Sequence, residues 1–135
     1  ASQIALTHIQ FASTISLAEQ TNAITQETCV QLKAYLAGRL QHFDLPLAPA
    51  GTKFQQQVWH QLLTVPYGTT QTYGDIAHGI KNAKAVRAVG AANGRNPIAI
   101  VIPCHRIIGS NGKLTGYAWG TKTKAKLLSL EQTHK

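Results

Sequence analysis

From Thr25 to Leu40 the apolar positions Val30, Leu32, Leu36 and Leu40 recur at helical spacing, with Gly38 near the end. This predicts a helix over 25–40. Before it, residues 3–17 hold short apolar runs divided by Thr and Ser, the pattern of one or two strands. After it, Asp44-Leu-Pro-Leu-Ala-Pro-Ala-Gly51 carries two prolines and a glycine and reads as a linker. Past the linker the pattern sharpens. Thr52 and Gln55 have capping-box spacing, and Phe54, Val58 and Leu62 recur four apart as one buried stripe. Pro66-Tyr-Gly68 breaks that helix. Thr72 and Asp75 repeat the capping box ahead of Tyr73, Ile76, Ala77 and Ile80.

Gly79–Asn82 is a short turn, and Asn82 is placed to cap a further helix running to Asn93-Gly94. Two short helices joined by a glycine-containing turn fit a helix-turn-helix, although such patterns also arise by chance. In the second helix Val86, Val89 and Gly90 are expected to face inward, with Lys84, Arg87, Ala88 and Ala91 on the opposite side. Small residues around cations let a helix approach a phosphate backbone closely. An alanine-rich surface helix would show the same letters. Pro97 then opens the apolar run Ile98-Ala-Ile-Val-Ile102, which Pro103 ends; its β-branched content predicts a short buried strand. Gly109–Gly112 reads as a turn. Thr121–Glu131 reads as a final helix, apolar at Leu127, Leu128 and Leu130 and basic at Lys122, Lys124 and Lys126. The expected fold is α+β. A small N-terminal α/β part (1–48) precedes a mostly helical domain (49–135) with a helix-turn-helix and one buried strand.

Charge divides along the same boundary. The chain has 135 residues and a net charge of +8. Residues 51–135 carry eleven Lys or Arg against Asp75 and Glu131, whereas residues 1–50 carry Lys33 and Arg39 against Glu19, Glu27 and Asp44. The second part is the candidate polyanion-binding surface, a solvated basic face being the alternative. Cys29 and Cys104 form neither a zinc-type pair nor a disulfide framework. No apolar run reaches the roughly 18–20 residues of a membrane span, and no signal-peptide pattern opens the chain. A reducing intracellular compartment, cytoplasm or nucleus, is expected, where a free thiol persists. A chain without Met that opens at Ala1 suggests a processed start or a fragment.

The chemistry concentrates at Pro103-Cys104-His105-Arg106. A cysteine at the end of a buried element is held rigidly, and an adjacent His, an Arg and basic surroundings favour thiolate over thiol. The dipeptide alone is equally the text of an inert buried cysteine. Its wider context decides. The stretch Arg87-Ala-Val-Gly-Ala-Ala-Asn-Gly-Arg-Asn-Pro-Ile-Ala-Ile-Val-Ile-Pro-Cys-His-Arg-Ile-Ile resembles the O6-alkylguanine-DNA alkyltransferases, also called methylated-DNA–protein-cysteine methyltransferases. So do Ser110-Asn-Gly-Lys-Leu-Thr-Gly-Tyr117, Lys124-Ala-Lys-Leu-Leu128, Gly51–Trp59 and Val65–Ala77. The likeness spans about residues 28–131 and is specific from Gly51 onward.

The resemblance implies a role for each matched position. Cys104 would accept the alkyl group, His105 would take the thiol proton through a water, and Glu131 would orient His105. Asn96 would fix the turn that holds the cysteine, and Tyr73 would donate a proton or hydrogen bond to guanine N3. Tyr117 and Trp119 would line the base pocket, and backbone groups near Ala118 and Ile107 would meet the base edge. Arg87 would fill the space left by a base turned out of the duplex. Lys84, Ala88, Ala91, Arg95 and Arg106 would join it on double-stranded DNA in the minor groove. The implied protein is a monomer without cofactor or metal. It would act once, on O6-alkylguanine, with a minor activity on O4-methylthymine.

This sequence departs from the pattern in three places. Its N-terminal part is shorter than the family's. Cys29 matches no catalytic position and is read as a buried helix residue, and His8, His42, His60, His78 and His134 lack ligand spacing. Trp119 stands where some relatives carry glycine, so O6-benzyl groups are expected to react poorly. The competing readings are a lesion binder without transfer, a helix-turn-helix regulator and a cysteine hydrolase. The first lacks the acceptor cysteine in the proteins that define it, the second leaves Cys104-His105-Arg106 unexplained, and no family signature supports the third.

Overall fold

The computed structural model describes residues 23–45, 47, 49–112, 114, 117 and 120–135. The strands expected within 3–17 lie outside the described residues, as do Ala118 and Trp119.

The first helix, α1, spans Ala23–Leu36 and ends in a Schellman motif. Gly38 N–H donates to Tyr35 O, Arg39 N–H donates to Ala34 O (2.8 Å), and Gly38 takes φ 77°, the left-handed conformation that glycine adopts freely. Its inward face is not the expected one. Val30 and Leu36 are 60% and 55% exposed, whereas Thr28, Gln31 and Tyr35 are buried. Those three positions share one face at i, i+3 and i+7. Their polar ends can go inward because partners wait there: Gln31 exchanges two hydrogen bonds with the backbone of Asp44 (2.9 and 2.8 Å). Cys29 is half-buried rather than buried.

Helix α2, Lys53–Leu62, begins with both bonds of the capping box between Thr52 and Gln55. It buries Val58, Trp59 and Leu62. Helix α3, Tyr73–Gly79, begins with the second capping box, between Thr72 and Asp75. Helix α4, Val86–Gly94, has no side-chain cap. Asn82 does not cap it, because the chain makes a further turn first, in which Ala85 N–H donates to Asn82 O (3.0 Å). Helices α2, α3 and α4 pack on one another, and Trp59 Nε1 donates to Ala92 O (2.8 Å), tying α2 to α4. Val89 is fully buried in that contact, while Val86, expected inside, is 41% exposed.

The run Ile98–Ile102 is buried as expected but is not a strand. Its backbone folds into consecutive turns: Val101 N–H donates to Ala99 O (2.8 Å) and Ile102 N–H to Ile98 O (3.1 Å). Ile100 takes φ 72°. An apolar run shows that a segment is buried, and burial is met equally by a coil whose polar groups are paired. The sheet lies elsewhere. Strand β1 (Gln71–Thr72) pairs in parallel with β2 (Ile107–Ile108), Gln71 opposite Ile107. Between the buried coil and β2, Cys104–Arg106 form one 3₁₀ turn. Helix α5, Thr121–His134, closes the chain and packs on that turn. The fold is therefore α+β, with the described core gathered around residues 98–107.

Candidate active site

The 3₁₀ turn places three side chains in the core at once: Cys104 is 1% exposed, His105 0% and Arg106 7%. Asn96 holds the coil leading into it. Its Oδ1 accepts from Ile98 N–H (3.0 Å), and its Nδ2 donates to Ile102 O (2.8 Å) and Ile98 O (3.3 Å). From α4, Asn93 Nδ2 reaches Cys104 O (3.4 Å), a direct link between the helix-turn-helix and the cysteine.

Glu131, fully buried on α5, gathers the polar groups of the site. His105 Nε2 lies 2.6 Å from its Oε2. Arg106 Nε donates to Oε1 (2.8 Å) and an Arg106 terminal nitrogen to Oε2 (3.0 Å). Gly68 N–H donates to Oε1 (3.2 Å), and Tyr35 Oη donates to Oε2 (2.6 Å). Burial alone would raise this carboxyl; the bonds from His105 and Arg106 outweigh it and hold the pKa at about 2. Burial likewise lowers His105, against the opposing pull of Glu131. At neutral pH the pair is thus a neutral imidazole against a carboxylate. Since Nε2–H faces Glu131, Nδ1 carries the lone pair, and Nδ1 has no hydrogen-bond partner among the described residues.

Cys104 contradicts one expectation. Burial pushes its pKa up to about 11, against smaller lowering effects of the Asn96 hydrogen bond and the Lys124 charge. The resting group is a thiol, and a proton has to leave before sulfur can attack. Lys124 is fully buried, its Nζ donating to Ile107 O. Tyr117 is also buried, close enough to Cys104 that a thiolate there would raise its phenol further.

The remaining residues divide by place. Lys84, Arg87, Ala88, Ala91 and Arg95 are all exposed on and around α4. Tyr73 opens α3, half-buried, with its ring alongside Gly90 of α4. Two expectations fail. Arg106 is not among those exposed residues, because its guanidinium is committed to Glu131 and to Val65 O (2.8 Å). The backbone of Ile107 is not open to a base, because its N–H donates to Cys104 O and its carbonyl accepts from Lys124. Tyr35, Asn93 and Lys124 were not singled out from sequence. A buried tyrosine needs a partner for its hydroxyl, but nothing in the letters said that Tyr35 would be buried. Among the described residues no group of His, Cys, Asp and Glu could hold a metal ion, and no helix is long and apolar enough to cross a membrane.

The family model described as 6-O-methylguanine DNA methyltransferase, DNA binding domain, matches residues 53–133. A methylated-DNA–protein-cysteine methyltransferase of Methanosarcina acetivorans is 61% identical over 106 residues, 78% of this chain and 68% of the relative. One from Mycobacterium tuberculosis is 58% identical over 103 residues, covering 76% and 62%. Mycobacterium tuberculosis OGT in complex with DNA superposes with a TM-score of 0.90 at 47% identity, covering 99% of this chain and 84% of that one. S. pombe Atl1, bound to damaged DNA containing O6-carboxymethylguanine, gives 0.52 at 27% identity over 60% and 78%. Fold and site together define the class, a DNA-binding methyltransferase of DNA repair. The chain belongs to the 6-O-methylguanine DNA methyltransferase family.

Proposed function

We propose that this protein repairs double-stranded DNA by moving an alkyl group from guanine O6 to the sulfur of Cys104, once per chain. The observation that carries this reading is a buried His105–Glu131 pair whose His105 shares a 3₁₀ turn with the buried Cys104, and Asn93 ties the Cys104 carbonyl to α4, where Arg87 is exposed. The thiol proton passes to His105 Nδ1 through a water, and the resulting imidazolium faces a carboxylate already ionised. Sulfur attacks the alkyl carbon, the carbon–O6 bond breaks, and its electron pair stays with guanine. Tyr73 donates to guanine N3, so that the base leaves without a full negative charge.

The lesion lies inside a stacked duplex and must turn out to meet a buried sulfur. Arg87 fills the space it leaves. Lys84, Ala88, Ala91 and Arg95 support α4 against the backbone from the minor groove, where base identity is poorly displayed, which suits a protein that scans any sequence. The family resemblance assigns Tyr117, Ala118 and Trp119 to the pocket. Trp119 stands where some relatives carry glycine, so Trp119→Gly should speed reaction with O6-benzylguanine and leave O6-methylguanine nearly unchanged; no gain on the benzyl substrate would refute this. O4-methylthymine is a minor substrate. The protein works as a monomer inside the cell, with residues 1–48 as a reduced N-terminal domain and residues 49–135 as the alkyltransferase and DNA-binding domain.

A thioether is neutral and a poor leaving group, so Cys104 is not regenerated. With labelled methylated duplex in excess, transfer should plateau near one methyl per chain. Continued turnover would overturn the proposal.

A further inference from the structure

We infer that Tyr35, from the helix that precedes the family-matched segment, is a positioning residue for the transfer: its hydroxyl fixes Glu131 Oε2 against His105. This rests on the reading of Cys104, His105 and Glu131 given above. Tyr35 is fully buried. Its Oη donates to Glu131 Oε2 at 2.6 Å and lies 3.4 Å from His105 Nε2, so phenol, imidazole and carboxylate meet around one oxygen. Its ring is set from two sides, by Phe43 at a centroid distance of 5.4 Å and by Tyr67 at 6.1 Å. Burial raises the phenol further from ionisation, so the hydroxyl stays a donor throughout the working pH range.

The geometry assigns a consequence. Glu131 Oε2 accepts from Tyr35, His105 and Arg106. Each donor draws charge from the oxygen that His105 relies on when it becomes an imidazolium. Tyr35 therefore orients the carboxylate and keeps His105 less basic than Glu131 alone would make it. Other groups act on the same imidazole. Arg106, beside it in the turn, and Lys124, on α5, both oppose its protonation; Tyr67 and Cys104 are uncharged at rest. Deleting one hydroxyl leaves those charges in place and changes only the share of Oε2 available to His105.

The test is Tyr35→Phe, which keeps the packed ring and removes the donor. Single-turnover transfer from saturating methylated duplex should slow by about three- to tenfold at pH 7, with the affinity for that duplex unchanged. The acid limb of the rate profile should move to higher pH by about half a unit, as a more basic His105 requires. In a Glu131→Gln background the same substitution should add no further slowing. Unchanged rate and profile in Tyr35→Phe would overturn the inference. So would a loss confined to DNA affinity, or one that persists in the Gln background. If Tyr35→Phe does not fold, 3-fluorotyrosine at position 35 keeps the shape and strengthens the donor, so the acid limb should move to lower pH; no movement overturns the assignment. Absence of transfer in the unmodified protein would instead refute the proposed function itself.

Discussion

At the scale of single residues, the site is a set of ionisable groups held away from their ordinary states. The accepting sulfur rests as a thiol because it is dry, and the imidazole beside it rests neutral for the same reason. This predicts an order of reactivity in the free protein: iodoacetamide near pH 7.5 should modify half-buried Cys29 before Cys104, and peptide mapping that found Cys104 modified first would contradict it. The same groups fix how stability follows pH. Glu131, lowered from 4.5 to about 2, contributes fully above its unfolded value and loses that contribution as pH falls toward 2. His105, lowered from 6.5, begins an acid loss earlier, since the unfolded imidazole takes up its proton first. Cys104 has the opposite sign: raised from 9.0 to about 11, it costs stability as pH rises through that interval. Urea midpoints should be highest between about pH 6.5 and 9 and fall on both sides. A midpoint still rising below pH 5 would contradict these assignments. Glu131→Gln, which leaves the Arg106 guanidinium buried without its counter-charge, should cost about 3 kcal/mol in the same assay.

At the scale of elements, the signals with a local cause were legible. Both capping boxes formed at the residues whose spacing announced them, Thr52 with Gln55 and Thr72 with Asp75, because a cap is a contact between near neighbours in the chain. Thr52→Ala should therefore cost about 1 kcal/mol in urea denaturation, with transfer unaffected. Several of the failures were settled by distant contacts. Apolar spacing points to the wrong face of α1 because Tyr35 and Gln31 find their partners 96 and 13 residues away. Ile98–Ile102 was read as a strand because hydrophobicity reports burial without reporting hydrogen bonds, and Asn96 supplies those bonds to a coil instead. Nothing in the sequence says that Arg106 and Lys124 are buried, since cations usually lie outside. Only the fold shows that one meets a carboxylate and the other a carbonyl. The Cys104, His105 and Glu131 set was legible through family resemblance and not through spacing, since Glu131 lies 26 residues from His105.

At the scale of the whole molecule, Asn93 links α4, on which Arg87 is exposed, to the backbone of the buried Cys104. Binding and chemistry should accordingly separate. Arg87→Ala should slow transfer from duplex DNA by an order of magnitude or more, on the order of the few kcal/mol that unstacking costs, while leaving reaction with free O6-methylguanine base unchanged. Equal slowing on both substrates would place Arg87 in the chemistry and not at the opened duplex. The surplus of basic residues after Gly51 should also make duplex affinity fall with salt. The measurement that bears most directly on the whole account is the mass of the protein and its peptides after exposure to O6-methylguanine duplex. The account predicts a gain of one methyl, carried by the peptide containing Cys104 and absent in Cys104→Ser. A methyl on Cys29, or one retained in Cys104→Ser, would contradict it.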